Sequence, residues 1–538
     1  MTADPLPGGY VLPTFVYRRA PELDGKAKRY PVAVVGAGLA GLTATADLAS
    51  RGVPVVLLDE DDTVGVRGAS SRGICYAQKS LETFVRLGIY DRVAEKGVTW
   101  SVGRVLCGDE ELYSFDLARG SLSEQPPFIN IQQFYVEWFL VDRIDELPAA
   151  DVRWRSRITG ATAHNDHVRL RVETPDGPYD LEAQWVVDCS GHASIVREAI
   201  GITPRAEFGV DRWCIADVRF RRPMRPERWT WMEADFNGGR AVWQHQMADG
   251  VWRIDYQMPP DSDPAEISRP EVVRARLQAH LGSDTELEVV WIGPYSYRTQ
   301  RLDNFRASRI FFVGDAAHVF SPFGARGGNS GIQDAENLGW KLAAVLAGEG
   351  SEALLDSYDT ERRSAAEHNI RVTSRSARFL APRSAFEREL RKAVADLARS
   401  FPFARALVNT GRMSQAFDYW DSPLTTNGGA QVPNVPIRQD DGTTGVLADL
   451  LKGPDAPFLV LCFPGSGAPC ASSSVRVFAV GEAIDGLPLL SGDRLESLGG
   501  SREVLVIRPD QHLAARLVDP SRDEVERAIA RARGGGSR

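Results

Sequence analysis

The sequence has few cysteines, and none of them has a partner at a spacing that would give the pair a shared task. Six cysteines stand among 538 residues, at positions 75, 107, 189, 214, 462 and 470. These separations match neither a disulfide framework nor a zinc-ligand pattern. We therefore expect no metal site and a protein that works in a reducing compartment.

Long apolar runs and long runs of one charge are also missing. No stretch reaches the about 18 apolar residues of a membrane-spanning helix, and the opening MTADPLPGGYVLPTF lacks the charged and apolar regions of a secretion signal. We expect a cytoplasmic protein without a membrane partner. A net charge of −9 with no dominant Lys/Arg run argues against binding to nucleic acid.

What the chain does contain is enough apolar material for several domains, since 43% of its residues are hydrophobic. Residues 30–59 alternate as strand, turn, helix and strand, and residues 205–300 form a series of aromatic-rich segments typical of a β-sheet. The last part of the chain again alternates strands and helices. The pattern predicts an α/β protein.

The segment VAVVGAGLAGLTA has the spacing of a dinucleotide-binding turn between a strand and a helix. Gly36 permits the tight turn, Gly38 lets the backbone approach a pyrophosphate, and Gly41 lets the helix pack on the strand. The next predicted strand ends at Asp59, where a carboxylate can accept from ribose hydroxyls. This acid favours FAD or NAD over NADP. The predicted contacts are Gly36, Ala37, Gly38, Leu39, Ala40, Gly41, Asp59 and Glu60.

A second motif, GDAAHVFSPFGARGGNSG from Gly314, follows another buried strand and opens a long helix. Together with Gly36–Gly41 and with DCSGHASIVR from Asp188, it resembles the class A flavoprotein aromatic monooxygenases. That family includes para-hydroxybenzoate, phenol and 3-(3-hydroxyphenyl)propionate hydroxylases. The resemblance covers roughly residues 30–400. It implies a Rossmann-like FAD-binding domain interleaved with a β-sheet substrate domain.

The resemblance also implies which residues hold the flavin. Asp315 would bond the ribityl chain, and the loop after it would lie against the pyrimidine edge of the isoalloxazine, where amides at a helix N-terminus stabilise negative charge. Two weaker correspondences place Arg72 near the pyrophosphate or adenosine and Gln133 beside the ribityl-phosphate. The remaining loop residues implied in the site are Gly314, Pro322, Gly324, Gly327, Gly328 and Asn329.

The middle motif departs from the family pattern. The family has Asp-Gly where this chain has Ser190-Gly191, with an acid two places earlier at Asp188, while Arg197 keeps the final Arg. The family aspartate is tied to FAD and nicotinamide contacts. The choice between NADH and NADPH and the rate of flavin reduction are therefore open.

Class A chemistry implies FAD as bound cofactor, NADH or NADPH as transient donor and O2 as co-substrate. Through a C4a-hydroperoxyflavin, such an enzyme hydroxylates a small aromatic, usually phenolic, substrate. The sequence does not separate this from Baeyer–Villiger or epoxidising chemistry. A flavin halogenase would need Trp-x-Trp-x-Ile-Pro, and RWTWMEAD lacks Ile-Pro. A non-catalytic flavin-binding protein is the alternative from a different class.

The sheet of residues 205–300 should supply one wall of the substrate pocket, but no catalytic base stands out. Polar candidates in it are His245, Tyr256, Tyr295 and Tyr297, and stacking candidates are Trp231 and Trp243. Each has an ordinary alternative as a core or surface residue.

The remaining divisions are an N-terminal arm at 1–29, a helical connection and linker at 401–445, and a C-terminal domain at 446–538. PFLVLCFPGSGAPC resembles the thioredoxin-like domain appended to phenol hydroxylases, but only Cys470 stands where a redox pair would need two thiols. We expect a structural role for this domain. Whether the chain forms a homodimer is open.

Overall fold

The computed structural model describes residues 9–25, 28–65, 73–221, 224–382, 384–408, 413–453, 458–466 and 475–535, with residues 207–211 and residue 408 described by their backbone alone. The described strands are β1 Arg29–Val35, β2 Val55–Leu58, β3 Cys75–Ala77, β4 Val98–Trp100, β5 Val102–Cys107, β6 Glu110–Asp116, β7 Phe128–Asn130, β8 Ala150–Arg153, β9 Arg157–Ala163, β10 Val168–Thr174, β11 Gly177–Asp188, β12 Arg205–Phe220, β13 Arg228–Ala234, β14 Arg240–Gln246, β15 Trp252–Met258, β16 Leu287–Arg301, β17 Arg306–Ala307, β18 Ile310–Phe312, β19 His318–Val319, β20 Pro436–Gln439, β21 Thr444–Val446, β22 Phe458–Cys462, β23 Val475–Val480, β24 Leu489–Ser491, β25 Glu503–Ile507 and β26 Leu513–Val518.

The described helices are α1 Leu39–Ser50, α2 Gln78–Leu87, α3 Tyr90–Lys96, α4 Gln133–Asp145, α5 Ile195–Ala199, α6 Pro264–Ile267, α7 Pro270–Leu281, α8 Arg326–Leu346, α9 Glu352–Leu380, α10 Ala385–Ser400, α11 Pro402–Val408, α12 Asp493–Glu496 and α13 Arg522–Ala532. Among the parts of the chain that the structure describes, no helix is both long and apolar enough to cross a bilayer.

The first sheet carries the predicted dinucleotide-binding unit. Strand β1 lies between β2 and β11 and runs parallel to both, with Val32 paired to Val55 on one side and Trp185 on the other. Helices cover both faces of such a sheet, which is why β1 reads as a nearly continuous apolar run. The order β17-β18-β11-β1-β2-β8 places the ends of β1, β11 and β18 next to one another. The expected α/β fold is confirmed.

The second sheet is the aromatic-rich layer, in the order β19-β16-β12-β15-β14-β13-β5-β6. Strands β12 to β16 lie within the interval predicted to be a sheet. Its other members were not predicted: β5 and β6 come from an earlier, mixed segment, with β5 parallel to β13. At the opposite edge, β19 pairs Val319 with Gln300 of β16. The chain therefore passes from this sheet directly into the loop before α8.

The C-terminal sheet has the order β21-β20-β24-β23-β22-β25-β26, with β22 parallel to β23 and antiparallel to β25. The interval 401–445, predicted to be a helical connection and linker, contributes β20 and the first residues of β21 to this sheet. Strand β20 pairs with β21 on one side and with β24 on the other. The window 467–470 with Cys470 lies outside the described residues. The likeness to thioredoxin stays a prediction.

A buried charged network fastens the C-terminal sheet to the helices behind the first sheet. Arg508 donates to Glu361 of α9 at 2.6 and 2.9 Å and to Asp510 at 2.5 Å, and Lys341 of α8 donates to Glu361 at 2.7 Å. All four side chains are at most 1% exposed. Buried charges that are paired in this way are compatible with a stable fold, but removing one partner strongly lowers the free energy of unfolding. Apolar contact adds to the junction, since Trp340 packs edge-on against Phe458.

Candidate functional site

The turn after β1 has a backbone that only glycine fits. Gly36 has φ +97°, and a Cβ there would lie 2.8 Å from the carbonyl oxygen of Cys189. A Cβ on Gly41 would lie 1.8 Å from the carbonyl oxygen of Gly36. The close approach of β1, α1 and the end of β11 therefore depends on these two glycines.

Gly38 serves a different purpose, because the space beside it is open. A Cβ on Gly38 would meet no described atom within 4 Å, and the residue is the N-cap of α1 without a capping side chain. The first-turn amides of a helix have no intrahelical acceptor, and they attract anions. A pyrophosphate fits this position.

The helix N-terminus of α8 adjoins that of α1. A Cβ on Gly328 would lie 3.1 Å from a side-chain carbon of Leu39, and one on Gly314 would lie 3.1 Å from the Cβ of Ala40. Gly327, like Gly38, has open space at its Cβ position. The structure thus brings the two glycine motifs together, with two positive helix ends facing one region. An extended anionic cofactor such as FAD fits that cradle.

Asp59 lies where β2 ends, as predicted. Its carboxylate accepts from the backbone N–H of Ala37 and, at 2.9 Å, from that of Asp61. Burial raises the pKa of Asp59 to about 6, against the lowering effect of these two bonds. Asp59 is thereby held against the glycine turn, and Glu60 beside it is exposed. Contact with a ribose stays a prediction for both.

Gln133, the first residue of α4, joins two other chain segments. Its Oε1 accepts from the N–H of Gly73 at 2.9 Å, and its Nε2 donates to Glu137 at 2.7 Å. Glu137 also accepts from Gly65 at 3.0 Å, and burial raises its pKa to about 7. Glu137 additionally bonds the N–H of Leu39, so it contacts the start of α1. Arg72 lies outside the described residues.

The loop from Gly314 is held by a buried carboxylate that the sequence analysis did not single out. Asp334 of α8 accepts from the N–H of Gly314 at 3.0 Å, from Arg362 at 2.5 Å, and contacts Nε2 of His318 at 2.6 Å. Burial alone would raise the pKa of Asp334, but His318 and Arg362 outweigh it and lower the pKa to about 2. Asp315 follows Gly314 in a 3-10 turn and is half-buried.

Asn329 is predicted to lie against the flavin ring, but its side chain is engaged elsewhere. Its Oδ1 accepts from the N–H of Ala77 at 2.8 Å and from Ser80 at 2.7 Å, while its Nδ2 donates to the carbonyl of Cys75 at 2.8 Å. The side chain therefore fixes α8 to β3 and α2. Only the backbone of residue 329 is left to face a flavin.

The turn that leads into α8 is made by residues with left-handed backbone. Gly324 has φ +80° and Ala325 has φ +56°, and Ala325 is the N-cap of α8. Pro322 is exposed at the outer end of the turn, and Phe323 is buried. Gly327 and Gly328 therefore lie in the first turn of α8, where backbone N–H groups have no intrahelical acceptor.

The middle motif is organised around Asp188 at the end of β11. Ser190 donates to Asp188 through its hydroxyl at 2.5 Å, and Ser194 donates to the second carboxylate oxygen. Arg197 donates to the carbonyls of Ala316 at 2.8 Å and His192 at 2.6 Å. The two serines and the arginine thus tie the segment 188–197 to the Gly314 loop.

One face of the second sheet meets residues 320–325, the loop between β19 and α8. This loop is called the flavin loop below because the flavin ring is predicted to lie against it. Phe323 packs edge-on against Trp243 at 5.0 Å, Tyr297 at 5.3 Å and Trp213 at 6.2 Å between ring centroids. Tyr295 packs on Tyr297 and is half-buried. An aromatic wall therefore stands beside the place predicted for the isoalloxazine.

The predicted polar and stacking candidates divide between the two faces of that sheet. Trp243 and His245 are two residues apart in β14, so both side chains lie on the face that meets Phe323. Tyr256 and Trp231 lie on the opposite face, under α7, where Tyr256 bonds His280 at 3.1 Å and Trp231 packs on the same histidine. The expectation that all candidates share one pocket is therefore corrected, since adjacent strand residues point to opposite faces.

These positions define a dinucleotide-binding flavoprotein site with an aromatic sheet beside it, and comparison with known proteins agrees. The family model described as FAD binding domain matches residues 29–373. The chain belongs to that family. Its class is the FAD-dependent monooxygenases to which the aromatic hydroxylases belong.

Curated relatives extend the match over most of the chain. A 3-(3-hydroxy-phenyl)propionate/3-hydroxycinnamic acid hydroxylase of Mycolicibacterium smegmatis is 27% identical over 530 residues, covering 93% of this chain and 92% of the relative. A relative of the same name from Klebsiella pneumoniae is 26% identical over 409 residues, covering 75% of this chain and 72% of its own.

Solved structures share the fold. The flavin-dependent monooxygenase PieE, in complex with FAD and substrate, superposes with a TM-score of 0.78 at 19% identity, covering 95% of this chain and 100% of its own. OxyS anhydrotetracycline hydroxylase from Streptomyces rimosus superposes with a TM-score of 0.70 at 25% identity, with the same coverage of 95% and 100%.

Proposed function

We propose that the protein oxidises NADH or NADPH with O2 and hydroxylates a small aromatic, phenolic substrate through a C4a-hydroperoxyflavin. The observation that carries the proposal is the contact of Phe323, in the flavin loop, with Trp213, Trp243 and Tyr297 of the second sheet. This contact supports the proposal because it lies beside the loop against which the flavin ring is predicted to lie. The names of the curated relatives support the same substrate class.

The chain's own groups would bind and orient the cofactor. The first-turn amides of α1 would hold the pyrophosphate, Asp59 the adenosine ribose, and Asp315 the ribityl chain. The amides of Gly327 and Gly328, at the positive end of α8, would stabilise the negative charge that a reduced flavin carries. Bound FAD supplies the redox chemistry itself, and the protein supplies position and a dry pocket.

The test is turnover of the FAD-loaded protein with NADH or NADPH under air, using phenol, 3-hydroxybenzoate and 3-(3-hydroxyphenyl)propionate as probes. We expect slow oxidation of the reduced nicotinamide alone, acceleration by a phenolic probe, and a product 16 mass units heavier. Magnetic resonance of that product would distinguish ring hydroxylation from Baeyer–Villiger insertion or epoxidation. A protein that binds FAD but transfers no oxygen to any probe would overturn the proposal.

A further inference from the structure

The sheet face that meets the flavin loop carries two aspartates in very different settings. Asp217 of β12 is 2% exposed, and both of its oxygens accept from Arg253 at 2.7 Å. Asp255 of β15, on the same face, keeps 14% of its side chain exposed, and its nearest ion-pair contact is Nε2 of His245 at 4.0 Å. Asp255 therefore has room at its oxygens for a further donor.

The proton of His245 can be assigned from its neighbours. Arg228 donates from Nη1 to Nδ1 of His245 at 3.2 Å, and because a guanidinium only donates, Nδ1 must be the unprotonated acceptor. Burial, together with Arg228 and Arg253, lowers the pKa of His245 well below its usual value, so the ring is neutral. Its single N–H is then on Nε2, the nitrogen that lies towards Asp255.

Asp255 is also close to the flavin loop. Trp243, its cross-strand neighbour on β14, is the residue on which Phe323 packs at 5.0 Å. From the other side, Cys75 accepts from Asn329 of α8 through its carbonyl at 2.8 Å, and its thiol lies within the electrostatic reach of Asp255. Asp255 therefore stands between the aromatic wall and the first turn of the flavin-binding helix.

We propose that Asp255 is the group that accepts the hydroxyl proton of the phenolic substrate, and that His245 positions it. This inference rests on the proposed function and names a catalytic residue for it. The substrate hydroxyl would donate to the partly exposed carboxylate of Asp255, and its ring would pack against the aromatic wall. His245 Nε2, which lies 4.0 Å from Oδ2 of Asp255 and has no hydrogen-bond partner within the part of the chain that the structure describes, would present its proton towards that carboxylate.

The proton transfer balances without a further reactant. The O–H bond of the phenol breaks, an O–H bond forms on Asp255, and the electron pair stays on the phenolate oxygen. Delocalisation of that pair makes the ortho and para ring carbons stronger nucleophiles towards the oxygen that the enzyme takes from O2. As the C–O bond forms, the O–O bond that derives from O2 breaks, with the reduced nicotinamide as the source of the two electrons. The ring hydrogen leaves as a proton when the ring becomes aromatic again and the substrate oxygen regains one, while the proton held by Asp255 passes through solvent to the second oxygen atom, which leaves as water.

The charges around Asp255 suit this role. Burial and Asp217 raise its pKa while Arg253 and Arg228 lower it, and the outcome is a pKa of about 6. The neutral His245 and the thiol of Cys75, whose pKa burial raises to about 11, add no charge at neutral pH. At pH 7, Asp255 is thus ionised yet more basic than an ordinary carboxylate, as a general base should be.

The decisive variant is Asp255→Asn, with Asp255→Glu as the conservative variant and Asp261→Asn, at an exposed position, as the matched control. All are loaded with FAD and assayed with the phenolic probe that the wild type hydroxylates best. In Asp255→Asn we expect hydroxylation to fall 10²–10⁴-fold and hydrogen peroxide to replace product. FAD content should match wild type, and Asp261→Asn should hydroxylate the probe as fast as wild type.

The pH profile separates a proton acceptor from a structural residue. We expect kcat/KM of wild type to rise with one ionisation near pH 6, that limb to be absent in Asp255→Asn, and to persist with partial activity in Asp255→Glu. In His245→Phe the limb should stay while kcat falls more than KM rises, because Asp255 keeps its ionisation but loses the N–H group that faces it at 4.0 Å.

Two results would overturn the inference. One is a wild type that hydroxylates phenols while Asp255→Asn does so equally fast, which would leave the proposed function intact. The other is an unchanged acidic limb in Asp255→Asn, which would assign the ionisation to another group. A wild type that hydroxylates none of the probes would instead remove the proposed function, and this inference with it.

Discussion

The side-chain amide of Asn329 donates to the carbonyl oxygen of Cys75 at 2.8 Å, which ties the first turn of α8 to strand β3. The same amide accepts from Ala77 and Ser80, so its oxygen and its nitrogen are both used. The direction of the flavin-binding helix therefore depends on a residue that the sequence had assigned to the cofactor itself.

Asn329→Ala should weaken both the fold and FAD retention. The substitution leaves the buried amide of Ala77 and the carbonyl of Cys75 without partners, each at a cost of about 1–3 kcal/mol. We expect a lower thermal midpoint and FAD loss on gel filtration. Asn304→Ala, at an exposed position, is the control. Equal midpoints for the two variants would contradict the bridging role.

Gly38→Ala should separate cofactor binding from folding. A Cβ at this position meets no protein atom within 4 Å, so the apo protein should keep its thermal midpoint. The methyl group would fill the space predicted for the pyrophosphate, and we expect FAD affinity to fall at least about tenfold, or about 1.4 kcal/mol. Titration of the apo protein with FAD measures this, with Gly160→Ala in β9 as control. Unchanged affinity would place the pyrophosphate elsewhere.

Asp315→Ala tests the ribityl contact. Loss of a charge-assisted hydrogen bond of roughly 1.5–3 kcal/mol should weaken FAD binding about tenfold or more while the apo protein stays folded. Equilibrium dialysis against FAD gives the affinity, and far-ultraviolet circular dichroism checks the fold. The exposed Asp303→Ala is a matched loss of charge. If the Asp315 variant binds FAD as tightly as wild type, the predicted contact is wrong.

Ser190→Asp tests the departure in the middle motif. Ser190 donates to the buried Asp188 at 2.5 Å, and a carboxylate in its place would remove a donor and add a like charge. We expect a thermal midpoint below that of Ser190→Ala. Stopped-flow reduction by NADH or NADPH should change more than FAD affinity does, because position 190 is exposed. Wild-type reduction rates in both variants would remove the role given to this position.

Arg508→Met should strongly destabilise the junction with the C-terminal sheet. Glu361 and Asp510 would remain buried without their main partner, at a cost of about 3–5 kcal/mol. Thermal midpoints at pH 7 provide the measurement, with Arg221→Met, whose side chain is 90% exposed, as control. A midpoint within one or two degrees (roughly the effect of a surface change) would mean that apolar contact alone holds the junction.

Acid should weaken the same junction in the wild type. Although burial opposes it, Arg508 and Lys341 lower the pKa of Glu361 far below its usual value, and Arg508 and His512 do so for Asp510. Folded-state pKa values below the unfolded ones give stability that is present above about pH 4 and lost as pH falls. Thermal midpoints between pH 7 and pH 3 should therefore fall less in Arg508→Met than in wild type.

The backbone turns at the nucleotide end of the candidate site could be predicted from sequence because their determinants are local. Gly36, Gly38 and Gly41 act through the backbone of one turn, and the residue spacing that identifies the motif is the spacing that builds it. The same holds for Gly314 and Gly324, whose positive φ values belong to one connected loop. Such local steric requirements can be recognised in the sequence because they involve only residues of the same turn.

The sequence by itself determined the α/β class, the two glycine turns and the aromatic character of the second sheet. Only the tertiary structure decided that Asn329 holds α8 in place, that Asp334 holds the Gly314 loop, and that Tyr256 points away from His245. It also brought Asp255 beside His245 and the flavin loop. The reason is physical: these relationships join residues far apart in the chain, and whether a polar side chain is paired, buried or open to a substrate depends on partners that its own neighbours in sequence do not specify.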